Sequence, residues 1–195
     1  MFKPLLLVAS ALALGACATP HQLDSDVATY SQWPAGRQAT SYAFERLPSQ
    51  QAQPERQQAL EDAARRAVEA AGFTPATDAA SADVSVQLGA RVTATERSPY
   101  DDPFWWRGSL VHPRYRGGPW WPGFGFRYAA PVYEREVAVL IRDRQSGQAL
   151  FESHASNDGT STKTATLLPA MFAAALKDFP GGAVNPRRVT VELAP

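Results

Sequence analysis

Ala82-Asp83-Val84-Ser85-Val86-Gln87-Leu88-Gly89-Ala90-Arg91-Val92 sets apolar residues at every second position. Successive side chains of a strand point to opposite faces. The pattern therefore predicts a half-buried strand with Val84, Val86, Leu88, Ala90 and Val92 inward. A second stretch, residues 132–143, reads the same way, with Val137, Val139 and Ile141 inward. Arg144-Gln145-Ser146-Gly147 is a turn signal, and Ala149 to Ala155 returns as the partner strand, so these segments predict a hairpin.

Upstream, Pro54 to Ala71 reads as a helix. Proline suits its first position, because the missing N–H would have no helical partner there. Leu60, Ala64, Ala67, Val68 and Ala71 form one stripe at helical spacing. Glu61, Asp62, Arg65, Arg66 and Glu69 fill the other side and read as a solvated face, with pairs four apart such as Glu61 and Arg65. Gly72 stands where a left-handed residue ends a helix, and Phe73 can cover that end. Before the helix, short strands are expected near Val27–Gln32 and at Ser41-Tyr42-Ala43-Phe44, then a polar loop over Ser49–Gln53. After the hairpin, a helix is expected from about Thr166 to Asp178, with Leu168, Phe172, Ala175 and Phe179 buried. Pro169 must then fall in its first turn, and Thr164 or Thr166 could cap it. Pro180-Gly181-Gly182 stops it, and Val189 to Leu193 alternates as a last strand. Together these elements predict an α+β, two-layer sandwich over residues 24–195: a mostly antiparallel sheet, two helices on one face, and a long insertion between strands.

The insertion, residues 99–131, breaks the alternation. Residues 99–133 hold eleven of the chain's twenty aromatics, interleaved with Gly and Pro. Trp105, Trp106, Arg107, Tyr115, Arg116, Trp120, Trp121 and Phe124 make it the candidate binding surface, since Trp, Tyr and Arg are typical interface anchors. Flat aromatic rings also stack on sugars and favour the bilayer interface, and arginine favours anionic phosphates. A structural alternative has the same aromatics packed on the open face of the sheet. A connection this long is usually functional or disordered, and disorder normally comes with few aromatics.

The N-terminus begins Met1-Phe2-Lys3 and continues apolar from Leu5 to Leu14. That is a signal peptide (residues 1–16), too short to span a bilayer. Leu14-Gly15-Ala16-Cys17 reads as a lipobox: small residues admit a peptidase, and Cys17, the only cysteine, accepts lipid. Two or more acyl chains give stable anchoring, so the membrane is an expected partner. Residues 17–23 form the tether. No intrachain disulfide is possible with one cysteine. Similarity to bacterial lipoproteins implies a diacylglyceryl thioether and an acylated amino group on Cys17. Ala18, in place of the Asp that retains such proteins at the inner membrane, implies a periplasm-facing position on the outer membrane.

Basic and acidic residues number nineteen each, and removing residues 1–16 takes away only Lys3. So balanced a charge argues against nucleic-acid binding. His21, His112 and His154 show no metal-ligand spacing, and no nucleophile elbow, P-loop or dinucleotide fingerprint occurs. Asp143, Ser153 and His154 can be assembled on paper into a hydrolase triad, but Asp143 better serves the hairpin turn. Asn157-Asp158-Gly159 reads as a turn. No cofactor is expected, and a non-enzymatic binding module of the envelope, meeting an envelope protein or cell-wall glycan, is favoured. The alternatives are a structural accessory and, behind it, a hydrolase.

In order, Thr40–Phe44, Ala70-Ala71-Gly72-Phe73, Ala82–Val86, the aromatic insertion, Val137–Asp143 with Ser146-Gly147, and Leu176–Pro180 resemble the bacterial lipoproteins that carry the domain of unknown function DUF4136. The resemblance runs from about Asp24 to Pro180. It implies an α+β fold and residence in the outer membrane or periplasm, and no activity.

Overall fold

A computed structural model describes residues 21–95, 131–183 and 185–193. Among these residues, seven strands form one mixed sheet in the order β3-β2-β4-β5-β6-β1-β7. They are β1 (Gln22–Ser31), β2 (Ser41–Glu45), β3 (Thr74–Pro75), β4 (Val84–Thr95), β5 (Val132–Asp143), β6 (Ala149–Gly159) and β7 (Arg187–Glu192). The helices are α1 (Pro48–Gln51), α2 (Pro54–Ala70) and α3 (Thr164–Ala175). β4–β5, β5–β6, β6–β1 and β1–β7 pair antiparallel; β2 runs parallel to both β3 and β4.

The alternating stretch forms the sheet's longest ladder. β4 and β5 pair from Val84 opposite Asp143 to Thr95 opposite Val132. Val84, Val86, Leu88, Val137, Val139 and Ile141 are buried in one core with residues of α2 and α3. Val92 leaves that core and is exposed, against expectation: β2 stops at Glu45, opposite Gln87, so among the described residues this end of β4 has a neighbouring strand on one side only. β6 continues to Gly159, so Asn157-Asp158-Gly159 is strand and not a turn; each of its residues still faces one on β5.

β1 begins at Gln22, earlier than the alternation suggested, and takes in the last two residues assigned to the tether. Its inward positions include Ser25 and Thr29, polar residues that hid the strand. The Thr29 and Ser153 hydroxyls lie 3.3 Å apart across the β1–β6 pair. The expected Ser49–Gln53 loop holds α1. There Gln50 accepts the Leu47 N–H and donates to the Leu88 carbonyl, 2.7 Å away.

α2 buries Leu60, Ala64, Ala67 and Val68 as its stripe requires. At its end Gly72 takes a positive φ of 98°, which a side chain would disfavour. The Gly72 N–H bonds to Glu69 O and the Phe73 N–H to Val68 O, the paired bonds of a Schellman motif. Glu61 corrects the solvated-face reading. It is buried and accepts Arg46 Nε and Nη2, both at 2.6 Å, instead of facing Arg65. Arg65 contacts Asp62 and lies over the Phe44 ring.

α3 starts at Thr164, two residues early, which places Pro169 in its second turn, not its first. Neither threonine side chain caps it: Lys163 is the N-cap, and Thr166 Oγ1 donates to Lys163 O. Its buried residues are Leu167, Ala170, Met171, Phe172, Ala174 and Ala175, with Leu168 only partly buried. The helix packs against α2 and against β1, β5, β6 and β7, so its apolar face is wide and has no single stripe.

Two devices close one end of the sheet. Phe73, Trp33, Tyr42, Phe151 and Phe179 form a chain of ring contacts with centroids 4.7–6.4 Å apart, mostly edge to face. Beside it, Asp143 organises the β5–β6 turn. Its carboxylate accepts the Ser146 N–H (2.8 Å), the Ser146 hydroxyl (2.9 Å) and Arg37 Nη1 (2.8 Å). Arg37 also lies over the Trp33 ring, whose Nε1 donates to Arg37 O.

Phe73→Ala is expected to cost about 3–5 kcal/mol in urea unfolding, because it empties the centre of the ring cluster; a loss below about 1 kcal/mol would contradict that role. The Ser146 N–H, the Arg37 guanidinium and the Ser146 hydroxyl hold the Asp143 carboxyl at about 2, below its ordinary 3.8. A depressed value in the folded state means that the unfolded chain takes up the proton first as pH falls. The stabilisation is therefore complete above pH 3.8 and is lost as pH falls towards 2. Asp143→Asn is expected to lower the urea midpoint at about pH 5 and to match the parent below about pH 2.

Candidate functional site

Leu14, Gly15, Ala16 and Cys17 lie outside the described residues, as do Trp105, Trp106, Arg107, Tyr115, Arg116, Trp120, Trp121 and Phe124. What the structure fixes is where their segments join the domain. One row across the sheet runs Asp26, Ser156, Glu136, Arg91, and Arg188 of β7 also faces Asp26. From that row, strand directions carry Gln22, Gly159, Val132, Thr95 and Glu192 to the same end of the sheet. The segment bearing Cys17 and both roots of the insertion therefore leave together. The Asp143 turn and the aromatic cluster occupy the other end.

The separations follow from strand spacing. Neighbouring strands lie ~4.8 Å apart, so β1 and β4, with β6 and β5 between them, are about 14 Å apart. Cys17 stands five positions before Gln22, a separation of at most about 17 Å. Tyr133, counted with the aromatics of the insertion, belongs to β5 and faces Ala94 and Gly159.

Beneath these roots lies a residue that the sequence reading passed over. Arg135 is fully buried on the inward side of β5. Its Nε donates to Thr164 Oγ1 at 3.0 Å, its Nη1 to Tyr133 O at 3.2 Å and, more weakly, to Asn157 Oδ1; its Nη2 donates to Ser161 O. The guanidinium also sits over the Tyr133 ring. No carboxylate among the described residues lies within ion-pair distance of it. One cation thus ties the insertion root to the end of β6 and the start of α3. The signal was present: position 135 shares the inward parity of Val137, Val139 and Ile141.

The paper triad does not assemble. Ser153 is buried, whereas neighbouring His154 is on the opposite face, between Glu152 (2.9 Å) and Glu136 (3.5 Å). Asp143 sits in the hairpin turn, held by Arg37 and Ser146. Among the described residues, no three His, Cys, Asp or Glu side chains gather as a metal site. No described helix is long and apolar enough to cross a membrane. A shallow groove of about 450 Å³ lies between the ends of β1 and β6 and the loop before β7, lined by Thr29–Gln32, Ala149–Glu152, Ala183 and Asn185. It is at the turn end, away from the insertion roots.

The family described as "Domain of unknown function (DUF4136)" matches residues 26–181. The chain belongs to this family. The DUF4136 match begins within β1, at Asp26, runs through α3 and stops before β7. No curated protein matches significantly. Among solved structures, the chain is similar to a PDZ domain protein from Parabacteroides distasonis, at 16% identity and a TM-score of 0.51. That match covers 94% of this chain and 42% of the other, so the chain spans less than half of that protein's length. A DUF4136 family protein from Bacteroides thetaiotaomicron is 18% identical, with 75% of this chain and 91% of that one covered and a TM-score of 0.30. The PelC dodecamer from Paraburkholderia phytofirmans is 13% identical, with 78% and 94% covered and a TM-score of 0.42.

Arg135→Met keeps the apolar stem but leaves the Tyr133 and Ser161 carbonyls without their donor. The expected cost is about 2–4 kcal/mol, with faster amide exchange over residues 159–164. Arg91→Ala, which removes an exposed ion pair with Glu136, is expected to cost under about 1 kcal/mol. Equal small losses in both variants would show that Arg135 pins nothing.

Proposed function

We propose that this DUF4136 protein is a lipid-anchored, periplasm-facing binding module of the bacterial outer membrane, without catalytic activity of its own. It is held by lipid on Cys17 and presents the aromatic insertion to an envelope protein or to cell-wall glycan. The observation that carries the reading is the cross-sheet register. It brings the Cys17 segment and both insertion roots to one end of the sheet, so an anchored domain would hold the insertion beside the bilayer surface. A tether of about 17 Å at most leaves little room for the domain to turn that end away. The buried Arg135 supports the same reading, because it stiffens the base from which the insertion leaves.

A purely structural role has one observation in its favour. The outward-pointing side chains of β1, β5 and β6 include Asp24, Asp26, Glu134 and Asp158, all exposed, and these complement Arg107, Arg114, Arg116 and Arg127 of the insertion. In that reading the insertion packs on its own sheet.

A photocrosslinking residue at Trp120 of the full chain, activated in cells, separates the two. We expect a discrete protein adduct by mass spectrometry, which would also name the partner. Crosslinks only within the chain, in cells where it is abundant, would replace presentation by internal packing. Deletion of residues 101–127 is expected to abolish cellular function while leaving a folded remainder. Full function of the deletion would end the proposal.

A further inference from the structure

We propose that the outer edge of β7 pairs antiparallel with the same edge of a second copy of this chain, with Thr190 on the twofold axis. The two edges of the sheet differ. At one, β3 is only Thr74–Pro75, and proline has no N–H to offer. At the other, β7 presents six residues, and among the described residues no strand pairs with its outer side.

The direction of each main-chain group on β7 is fixed at both ends. Leu193 N donates to His21 O at 2.7 Å, so position 193 faces β1. At the other end the Asn185 side chain takes over the ladder. Its Oδ1 accepts the Thr29 N–H (2.8 Å) and its Nδ2 donates to Thr29 O (2.7 Å), so Thr29 faces β7. In an antiparallel pair these directions alternate. Arg187, Val189 and Val191, opposite Val27, Ser25 and Leu23, therefore bond to β1. Arg188, Thr190 and Glu192 turn their N–H and C=O groups outward.

A twofold axis through Thr190 uses all three. Thr190 meets its own copy, and Arg188 meets Glu192 of the other chain, each pair exchanging N–H···O bonds in both directions. On the outer face this register sets Arg188 beside the opposite charge, a stabilising cross-strand pair. On the helix side Val189 faces Val191, so the apolar layer continues across the junction. Moving the axis to Val189 sets Glu192 opposite Pro186, which lacks an N–H; moving it to Val191 runs past the strand. Charged edge residues commonly repel self-pairing; here their order makes them complementary, as an isologous contact requires.

The test uses the full chain in cells. Paired Thr190 Cα atoms would lie about 5.5 Å apart, within disulfide range. Thr190→Cys is expected to give a disulfide-linked dimer on mild oxidation. The parent chain, with Cys17 alone, and Asp158→Cys, exposed on β6, are expected to give none. Adding Glu192→Arg should cut the crosslinked yield about tenfold, by setting arginines face to face, and adding Arg188→Glu as well should restore it. A dimer band of equal strength from Asp158→Cys, no band from Thr190→Cys, or no recovery in the double charge exchange would each overturn the pairing. In the detergent-solubilised parent, sedimentation is expected to give a dimer. Thr190→Pro, which removes an N–H that β1 does not use together with the hydroxyl bond to Asp24, should give a folded monomer with the parent's circular dichroism; a monomeric parent would overturn the proposal.

Discussion

The unbroken ladder between β4 and β5 sets what each end of the sheet can hold. Val84 lies opposite Asp143 at one limit and Thr95 opposite Val132 at the other. A slip of one residue would turn Val86, Val139 and Ile141 to the wrong face and expose the core. Because this register cannot move, neither can the features at its limits. At one limit Asp143 closes the turn, takes Arg37 from the β1–β2 loop and borders the ring cluster of Trp33, Phe73 and Phe179. At the other the roots of a long segment are held apart by one strand spacing over a buried arginine.

The two ends are stabilised by different chemistry. The turn end relies on ring packing, which is insensitive to charge, and on exposed carboxylate bonds, which are not. The insertion end buries Arg135 against neutral acceptors, an arrangement that fixes geometry more than it adds stability. Glu61 and Arg46 make a comparable link between α2 and the chain after β2. Polar contacts thus fix the connections, while the aliphatic residues of β4, β5 and α3 form the mass of the core.

Legibility followed the length of the repeating signal. Val84 to Leu88, the Ser146-Gly147 turn and Gly72 each obey a local rule that burial reinforced, and the structure places all of them as read. β1 was partly hidden because Ser25 and Thr29 occupy inward positions, where the hydroxyl of Thr29 finds Ser153 across the sheet. The phase of α3 could not be read from a helix that is apolar almost all round. Glu61 looked solvated because its partner, Arg46, lies fifteen residues away and on another element. Arg135 was open to reading by parity, but its partners Ser161 and Thr164 come together only through the fold. The residues read as anchor and insertion lie outside the described residues, and the structure adds to those readings only the position of the roots.

The place of β1 between β6 and β7 ties the first described strand to the last two: Gln22 faces Glu192, and Asp26 faces Ser156. Among the described strands β1 comes first, and it has no partner until β6, from Ala149 on, has followed. Contacts of such wide separation close late and slow the search for the native state. A chain delivered amino end first, from a ribosome or through a membrane channel, would pass most of its length before the sheet could close. Delay of that kind keeps a polypeptide threadable, and here it is written into the order of the strands.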